Sequence, residues 1–383
     1  MLYYNNENIY GREIKMESAI ISKILAFLLS IFVAIGNYFG FNEQPEEPGE
    51  IKNVIYLIGD GMGFNHLEKT KAESGISLTM DRFEIRGSSQ TASLTNEVTD
   101  SAAGGTALAT GVRTGNGRIA VYNDDPNSVY SFPKSLTELC MERGMLTGVI
   151  TTDSTAGATP ASFSAHTASR EMSWDISADQ LTSGIDLIWG TAASEITLSN
   201  TEANGYRYIS TFDEMMALPE GSRSFGQFTS SLWTIKPSSE NTPNLEQMAV
   251  KAVDILDDTD EGFFLMIEGA HIDKHSHNND SDKMAEALEE FDRTVKAMLS
   301  FAKEDGETLV VITADHETGG ITFENGSYVF TSGSHSAADV PLLVYGSDEL
   351  IKNAEVIKNC EIPVRIARIL DFDEKQFPVS VKK

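Results

Sequence analysis

The chain has 383 residues, 41% hydrophobic and 22% charged, a balance that suits a large globular domain and excludes a disordered chain. Its 57 acidic residues against 29 basic give a formal net charge of −28, a surface that repels nucleic acid and anionic lipid and excludes both as bulk partners. Two cysteines, Cys140 and Cys360, are too few for a disulfide framework or a thiolate metal cage, and sequence alone leaves open whether they pair.

In chain order, the first feature is an apolar run. Lys23 precedes Ile24 to Ile35, interrupted only by Ser30, and Ala34-Ile35-Gly36 supplies small residues after it. That length suits the core of a signal peptide and is short for a membrane span. The expected organisation is an N-terminal extension and signal peptide over residues 1–36, with translation starting at Met1 or Met16. A polar linker over 37–50 and one domain over 51–383 follow. The mature protein is then expected in the periplasm or the medium, with no stable membrane association; an uncleaved anchor is the alternative.

Beyond the linker, short apolar strands alternate with amphipathic helical stretches. Asn53–Ile58, Leu146–Thr152, Gly262–Ile267 and Thr308–Thr313 are strands without polar alternation, so both of their faces are expected to be buried. Ser135–Arg143, Asn244–Leu256 and Ser281–Lys303 fit helices between them. Ser199–Pro243 is polar and rich in Ser and Thr, and is expected to form peripheral loops and short elements. The pattern predicts an α/β fold, a three-layer sandwich with a large central, mostly parallel sheet flanked by helices. Asp60, Glu268 and Asp315-His316 each follow one of these strands, so three strand ends carry polar groups to the one edge where such sheets bind ligands.

Several residues there have the chemistry of divalent-metal ligands. Histidine is scarce, at seven residues. Asp273 and His277 are four apart in EGAHIDKHSHNND, Asp315 and His316 are adjacent in TADHETGG, and His335 lies in TSGSHSAADV. Carboxylate with imidazole suits zinc; Asp60 and Glu268 add oxygen ligands suited to magnesium or to bridging two ions. In VTDSAAGGTALATG, Ser101 stands at a helix start, where unpaired amides and the dipole favour an anion. In ATPASFSAHTASR, Thr159 offers a hydroxyl and Arg170 a planar fork able to grip two phosphoryl oxygens. Taken singly these features are ordinary: Ser101 reads as a helix cap, Arg170 as a surface residue, GDGMG as a tight turn. His66, His166, His271 and His275 read as packing or surface residues.

Together, and in this order, GDGMG, VTDSAAGGTALATG, ATPASFSAHTASR, EGAHIDKHSH, TADHETGG and SGSHS resemble the alkaline phosphatase family, over roughly Lys52 to Gly346. The resemblance is to the compact bacterial members, and it implies a hydrolase of phosphate monoesters working through a phosphoserine on Ser101. It implies two zinc ions: Asp273, His277 and His335 would hold one on the leaving-group side, and Asp60, Asp315 and His316 one beside Ser101. Asp60, Thr159 and Glu268 would hold a magnesium. Arg170 would orient the phosphate and Asp100 steady Arg170. Implied partners are small phosphate monoesters and inorganic phosphate, with no obligate nucleic acid, and the family's usual state implies a homodimer. Gly157 stands where relatives often carry Asp or His; it removes a side chain that would hold water around the magnesium and leaves Lys274 without that acidic partner, implying weaker magnesium binding. Sulfatases need a C/S-x-P-x-R setting that Asp100-Ser101-Ala102-Ala103 does not supply. Diesterases generally lack an equivalent of Arg170 and the third metal set. A non-catalytic binding protein would typically have lost the nucleophile or the Asp273–His277–His335 set.

Overall fold

The computed structural model describes residues 50–123, 129–229, 241–373, 375–378 and 380–382. The expected signal peptide, and the linker apart from its last residue, lie outside the described residues. Ten strands form one sheet: β1 (Asn53–Gly59), β2 (Ile85–Gln90), β3 (Leu146–Ser154), β4 (Leu187–Thr191), β5 (Arg207–Ile209), β6 (Ser224–Phe228), β7 (Phe263–Gly269), β8 (Thr308–Thr313), β9 (Val340–Tyr345) and β10 (Val356–Lys358). Their order across the sheet is β10-β2-β9-β8-β1-β7-β3-β4-β6-β5. Only β9 runs against the others.

The helices are α1 (Phe64–Ser74), α2 (Ser101–Thr110), α3 (Leu136–Arg143), α4 (Ala158–Ser162), α5 (Ser173–Thr182), α6 (Leu198–Ala203), α7 (Phe212–Met216), α8 (Leu245–Leu256), α9 (His271–His277), α10 (Ser281–Asp305) and α11 (Glu361–Ile369). They cover both faces of the sheet, and the alternation of side chains along each strand shows how. In β1, Ile55 and Leu57 join the core under α8 and α10, whereas Val54, Tyr56 and Ile58 join the core under α2, α3 and α11. Ile150 and Val149 in β3 divide in the same way. A strand that feeds two cores has no polar face, which is why its sequence shows no alternation. The expected three-layer α/β sandwich is the observed fold.

The segment Ser199–Pro243 forms short elements, as expected, at one end of the sheet. It supplies β5 and β6 to the sheet, and every residue of β6, Ser-Phe-Gly-Gln-Phe, is buried. Its polar groups are satisfied inside: Trp189 Nε1 donates to Ser224 Oγ (3.0 Å), and Gln227 Oε1 accepts from the Ala193 amide (2.8 Å). Cys140 and Cys360 are both free thiols. Among the described residues no helix is long and apolar enough to cross a membrane.

Leu57 is completely buried at the centre of β1, between β7 and β8. Leu57→Ala should lower unfolding free energy by about 2–5 kcal/mol, through lost burial and the cavity left behind. Urea denaturation checks this through the midpoint, with the slope unchanged.

Candidate functional site

Parallel strands that share a direction also share an exit edge. Asp60 leaves β1, Glu268 lies near the end of β7, and Asp315 follows β8, so three acidic residues arrive at one edge of the sheet. The GDGMG turn is sharp because Gly61 adopts φ +73°, and a Cβ there would sit 2.9 Å from both Asp273 Cα and Thr318 Oγ1. Bare backbone at Gly61 also lets its amide donate to Asp315 Oδ1 (3.2 Å).

His335 is brought to the same edge by a second device. The two-residue strand Glu317–Thr318 pairs antiparallel with His335–Ser336, setting Thr318 opposite His335. The His335 and His316 rings stack with centroids 3.6 Å apart.

Two groups of three side chains result. In the first, Asp273, His277 and His335 converge. His277 Nε2 lies 3.3 Å and His335 Nε2 3.7 Å from Asp273 Oδ1, and the two Nε2 atoms are 3.1 Å apart. The far nitrogen of each ring faces a backbone carbonyl: His277 Nδ1 that of Gly333 and His335 Nδ1 that of Thr99, both at 2.9 Å. A carbonyl only accepts, so each Nδ1 carries the proton and each Nε2 presents its lone pair to the centre.

In the second group, Asp60, Asp315 and His316 converge. His316 Nε2 lies 3.5 Å from Asp60 Oδ1, 3.3 Å from Asp315 Oδ2 and 3.1 Å from Ser101 Oγ. Beyond it, Glu268 accepts a short hydrogen bond from Thr151 Oγ1.

Ser101 is the first residue of α2, and Asp100, not Ser101, caps the helix, with Oδ1 accepting from the Ala103 amide (3.0 Å). The small-residue run in this motif has a steric cause. A Cβ on Gly104 would lie 2.8 Å from the Asp315 carbonyl oxygen, and one on Gly105 would lie 2.9 Å from Ser162 Oγ and 3.4 Å from Thr159 Cα. Both glycines let α2 press directly on the second group and on α4. Asp100 Oδ2 accepts from the Gly117 amide (2.9 Å) and from Arg170 Nη1 (3.3 Å), so one carboxylate ties the Ser101 helix to the guanidinium.

The electrostatics of this edge call for cations. Burial, then repulsion from Asp315, Asp273 and Glu268, holds the Asp60 carboxyl well above the usual range. Burial also raises Asp315, and burial with repulsion from Asp153 pushes Glu268 up to about 7. Burial and the neighbouring His335 lower His316 to about 3, so its ring is neutral and its lone pair free. Asp60 Oδ1, Asp315 Oδ2 and Thr159 Oγ1, the last facing Glu268, are buried without a full hydrogen bond. Orphaned oxygens, crowded carboxylates and bare imidazole nitrogens are what divalent cations satisfy, so the residues fit metal.

Lys274 is not without an acidic partner. It forms a short ion pair with Asp153, which lies where β3 slips its register on β4 between Ile150 and Ser154. A Cβ at Gly157 would sit 2.8 Å from Asp153 Oδ2. Glycine at position 157 therefore leaves room for a carboxylate arriving from four residues upstream, which gives Lys274 the acidic partner that the sequence did not show. The residues expected at the site from sequence are all at this edge; Asp153, Thr151 and Thr318 were not among those expected. Asp153 lies outside the motifs, whereas Thr318 stood inside TADHETGG.

The Alkaline phosphatase family profile matches residues 51–189 and 189–361. The chain belongs to the alkaline phosphatase family. Alkaline phosphatase 3 of Bacillus subtilis (strain 168) is 35% identical over 292 residues, 71% of this chain and 62% of that protein. The structure of alkaline phosphatase from the Antarctic bacterium TAB5 superposes with a TM-score of 0.71 at 28% identity, covering 86% of this chain and all of that one. A mutant of the TAB5 enzyme with Mg bound in its M3 site gives 0.70 at 29% identity, with the same coverage. The chain spans about three fifths of the length of the curated relatives it matches.

Arg170 is carried on a loop held by His166. His166 Nδ1 donates to the Ala120 carbonyl (2.7 Å) and Nε2 to Glu138 Oε1 (3.0 Å), while Arg170 N donates to the Gly117 carbonyl (2.7 Å). Burial disfavours the imidazolium, but the bond and attraction of Glu138, the Ala120 carbonyl and Asp179 outweigh it and raise the His166 pKa. A raised histidine stabilises the fold fully below its unfolded value and loses that contribution as pH climbs through its folded value. The gap in urea midpoint between the natural chain and His166→Asn should therefore be wider at about pH 6 than at about pH 9.

Proposed function

We propose that this protein hydrolyses phosphate monoesters through a phosphoserine formed on Ser101, releasing inorganic phosphate. The observation that carries the reading is the position of Ser101 Oγ, 3.1 Å from His316 Nε2, at the head of α2. Family membership supports the reaction class, and the bound magnesium of the TAB5 variant supports a metal-dependent site.

In this reading Asp273, His277 and His335 hold one zinc, and Asp60, Asp315 and His316 a second. Asp60, Thr159 and Glu268 hold a magnesium. When bound, the cations neutralise the crowded carboxylates, favour the ionised serine and offset the negative charge that develops on the leaving oxygen. Arg170, kept in line by Asp100, grips two non-bridging oxygens through its planar fork. The N-terminus of α2 adds a dipole favourable to the phosphoryl anion. Ser101 Oγ attacks phosphorus, its bond to phosphorus forms as the ester P–O bond breaks, and the alcohol departs. Water then cleaves phosphoserine, returning Ser101 and phosphate. Recognition confined to the phosphoryl group gives a broad range of leaving groups. The apolar N-terminal run supports export to the periplasm or medium, and the family's usual state supports a homodimer.

Purified protein should hydrolyse p-nitrophenyl phosphate at alkaline pH, lose activity to a chelator and regain it with zinc and magnesium. Ser101→Ala should lower kcat by about 10³-fold or more, and a phosphate diester should be a far poorer substrate. A metal-loaded natural chain inactive on both esters would overturn the reading in favour of a binding protein.

A further inference from the structure

Thr318 belongs to neither group of three, yet it touches both. Its side chain is completely buried. Its hydroxyl lies 2.5 Å from Asp273 Oδ1, in the first group, and 3.1 Å from His316 Nδ1, in the second. A hydroxyl has a single proton, and a carboxylate oxygen can only accept. The short contact to Asp273 therefore takes that proton, and toward His316 the hydroxyl can only accept. His316 must then carry its own proton on Nδ1. This fixes the tautomer that leaves Nε2 bare toward Asp60, Asp315 and Ser101, with which it makes its remaining close contacts.

The backbone of the same residue is equally committed. Thr318 N donates to the Gly61 carbonyl (3.0 Å), in the turn that carries Asp60, and Thr318 pairs in the short sheet with His335. The hydroxyl lies against Gly61, 2.9 Å from where a Cβ there would stand. It has no space to turn to water, and its two partners lie on different groups.

We propose that the Thr318 hydroxyl couples the two ligand groups, orienting Asp273 by donating to it and fixing the His316 tautomer by accepting from it, so that a metal ion held at one group strengthens binding at the other. This rests on the metal-dependent reading given above. Thr318 is a positioning residue: it acts through Asp273 and His316. Hydrogen-bond partners of ligating side chains commonly contribute ten- to hundredfold in metal affinity. A partner shared between two sites distributes that effect over both.

The test uses full-length apoprotein titrated with zinc by calorimetry and with cobalt by its visible absorption, which reports ligand geometry independently of turnover. Thr318→Val keeps the shape and removes the hydroxyl; Thr318→Ser keeps the hydroxyl; Thr318→Ala stands in if the valine variant fails to fold, as judged by circular dichroism. The expected result is a loss of about ten- to hundredfold in affinity at both groups in Thr318→Val, restored to within a few-fold in Thr318→Ser. In addition, His277→Ala, which removes a ligand of the first group only, should weaken binding at the second in the natural chain. The same change should have no such effect in the Thr318→Val background. Affinities in a folded Thr318→Val within about threefold of the natural chain, or a loss at one group alone, would overturn the coupling. A natural chain that binds neither zinc nor cobalt would overturn the metal reading itself, and the coupling with it.

Discussion

The constraint on which the rest of the molecule depends is the burial of acidic side chains at one edge of a parallel sheet. Asp60, Glu268, Asp273 and Asp315 are all less than a tenth exposed. Taking an ionised carboxylate out of water costs several kcal/mol even after relaxation, and four of them repel one another. The cationic side chains nearby are already committed, Lys274 to Asp153 and Arg170 to Asp100. Such an arrangement persists in a stable protein only if the sheet supplies enough apolar burial elsewhere and if bound protons or cations offset the charge. Both conditions shape what surrounds the edge. Beneath it lie β1, β7 and β8, whose middle residues are buried and apolar on both faces.

The second requirement is closeness. Carboxylates and imidazoles share cations only if their supporting backbones approach within a few ångströms, and side chains obstruct that approach. Gly61 and Gly104 remove the obstruction where the Asp60 turn and α2 press on the ligands. Gly104 costs the helix up to about 1 kcal/mol relative to alanine; its use in α2 favours contact with Asp315 over helix propensity. Where contact is not wanted, orientation is set at a distance instead. The Gly333 and Thr99 carbonyls hold the far nitrogens of His277 and His335, so that both rings present the correct atom without crowding the centre.

Much of this was legible in the sequence, for a physical reason. Strands buried on both faces must be continuous apolar runs, so β1, β3, β7 and β8 announce themselves, and with them the edge where Asp60, Glu268 and Asp315 emerge. What escaped was polarity satisfied internally. Strand β6 looks like a loop because Ser224 and Gln227 are polar, and only the fold reveals that Trp189 and Ala193 meet them. Asp153 escaped because a register slip brings it beside Lys274 and Gly157, and no spacing rule anticipates a slip. Thr318 escaped because a hydroxyl two residues beyond a histidine has no signature of its own. Its two partners come from β8's exit and from α9, and they meet only when the sheet is built.

The surface sharpens the division of labour. With a net charge of −28, the protein's general field repels a phosphate dianion at long range, an effect that added salt would weaken. Attraction must therefore be generated within a few ångströms of Ser101. Arg170 contributes less than a free guanidinium there, because Asp100 shares its charge. The head of α2 contributes only partial charge. The greater part of the attraction in the proposed reaction falls to the cations that the buried carboxylates call for. In that reaction the acidic residues that oppose an anionic substrate at long range are thus what would concentrate positive charge where it is proposed to bind. In the proposed reaction, an electrostatic cost built into folding would reappear as affinity for the phosphoryl group.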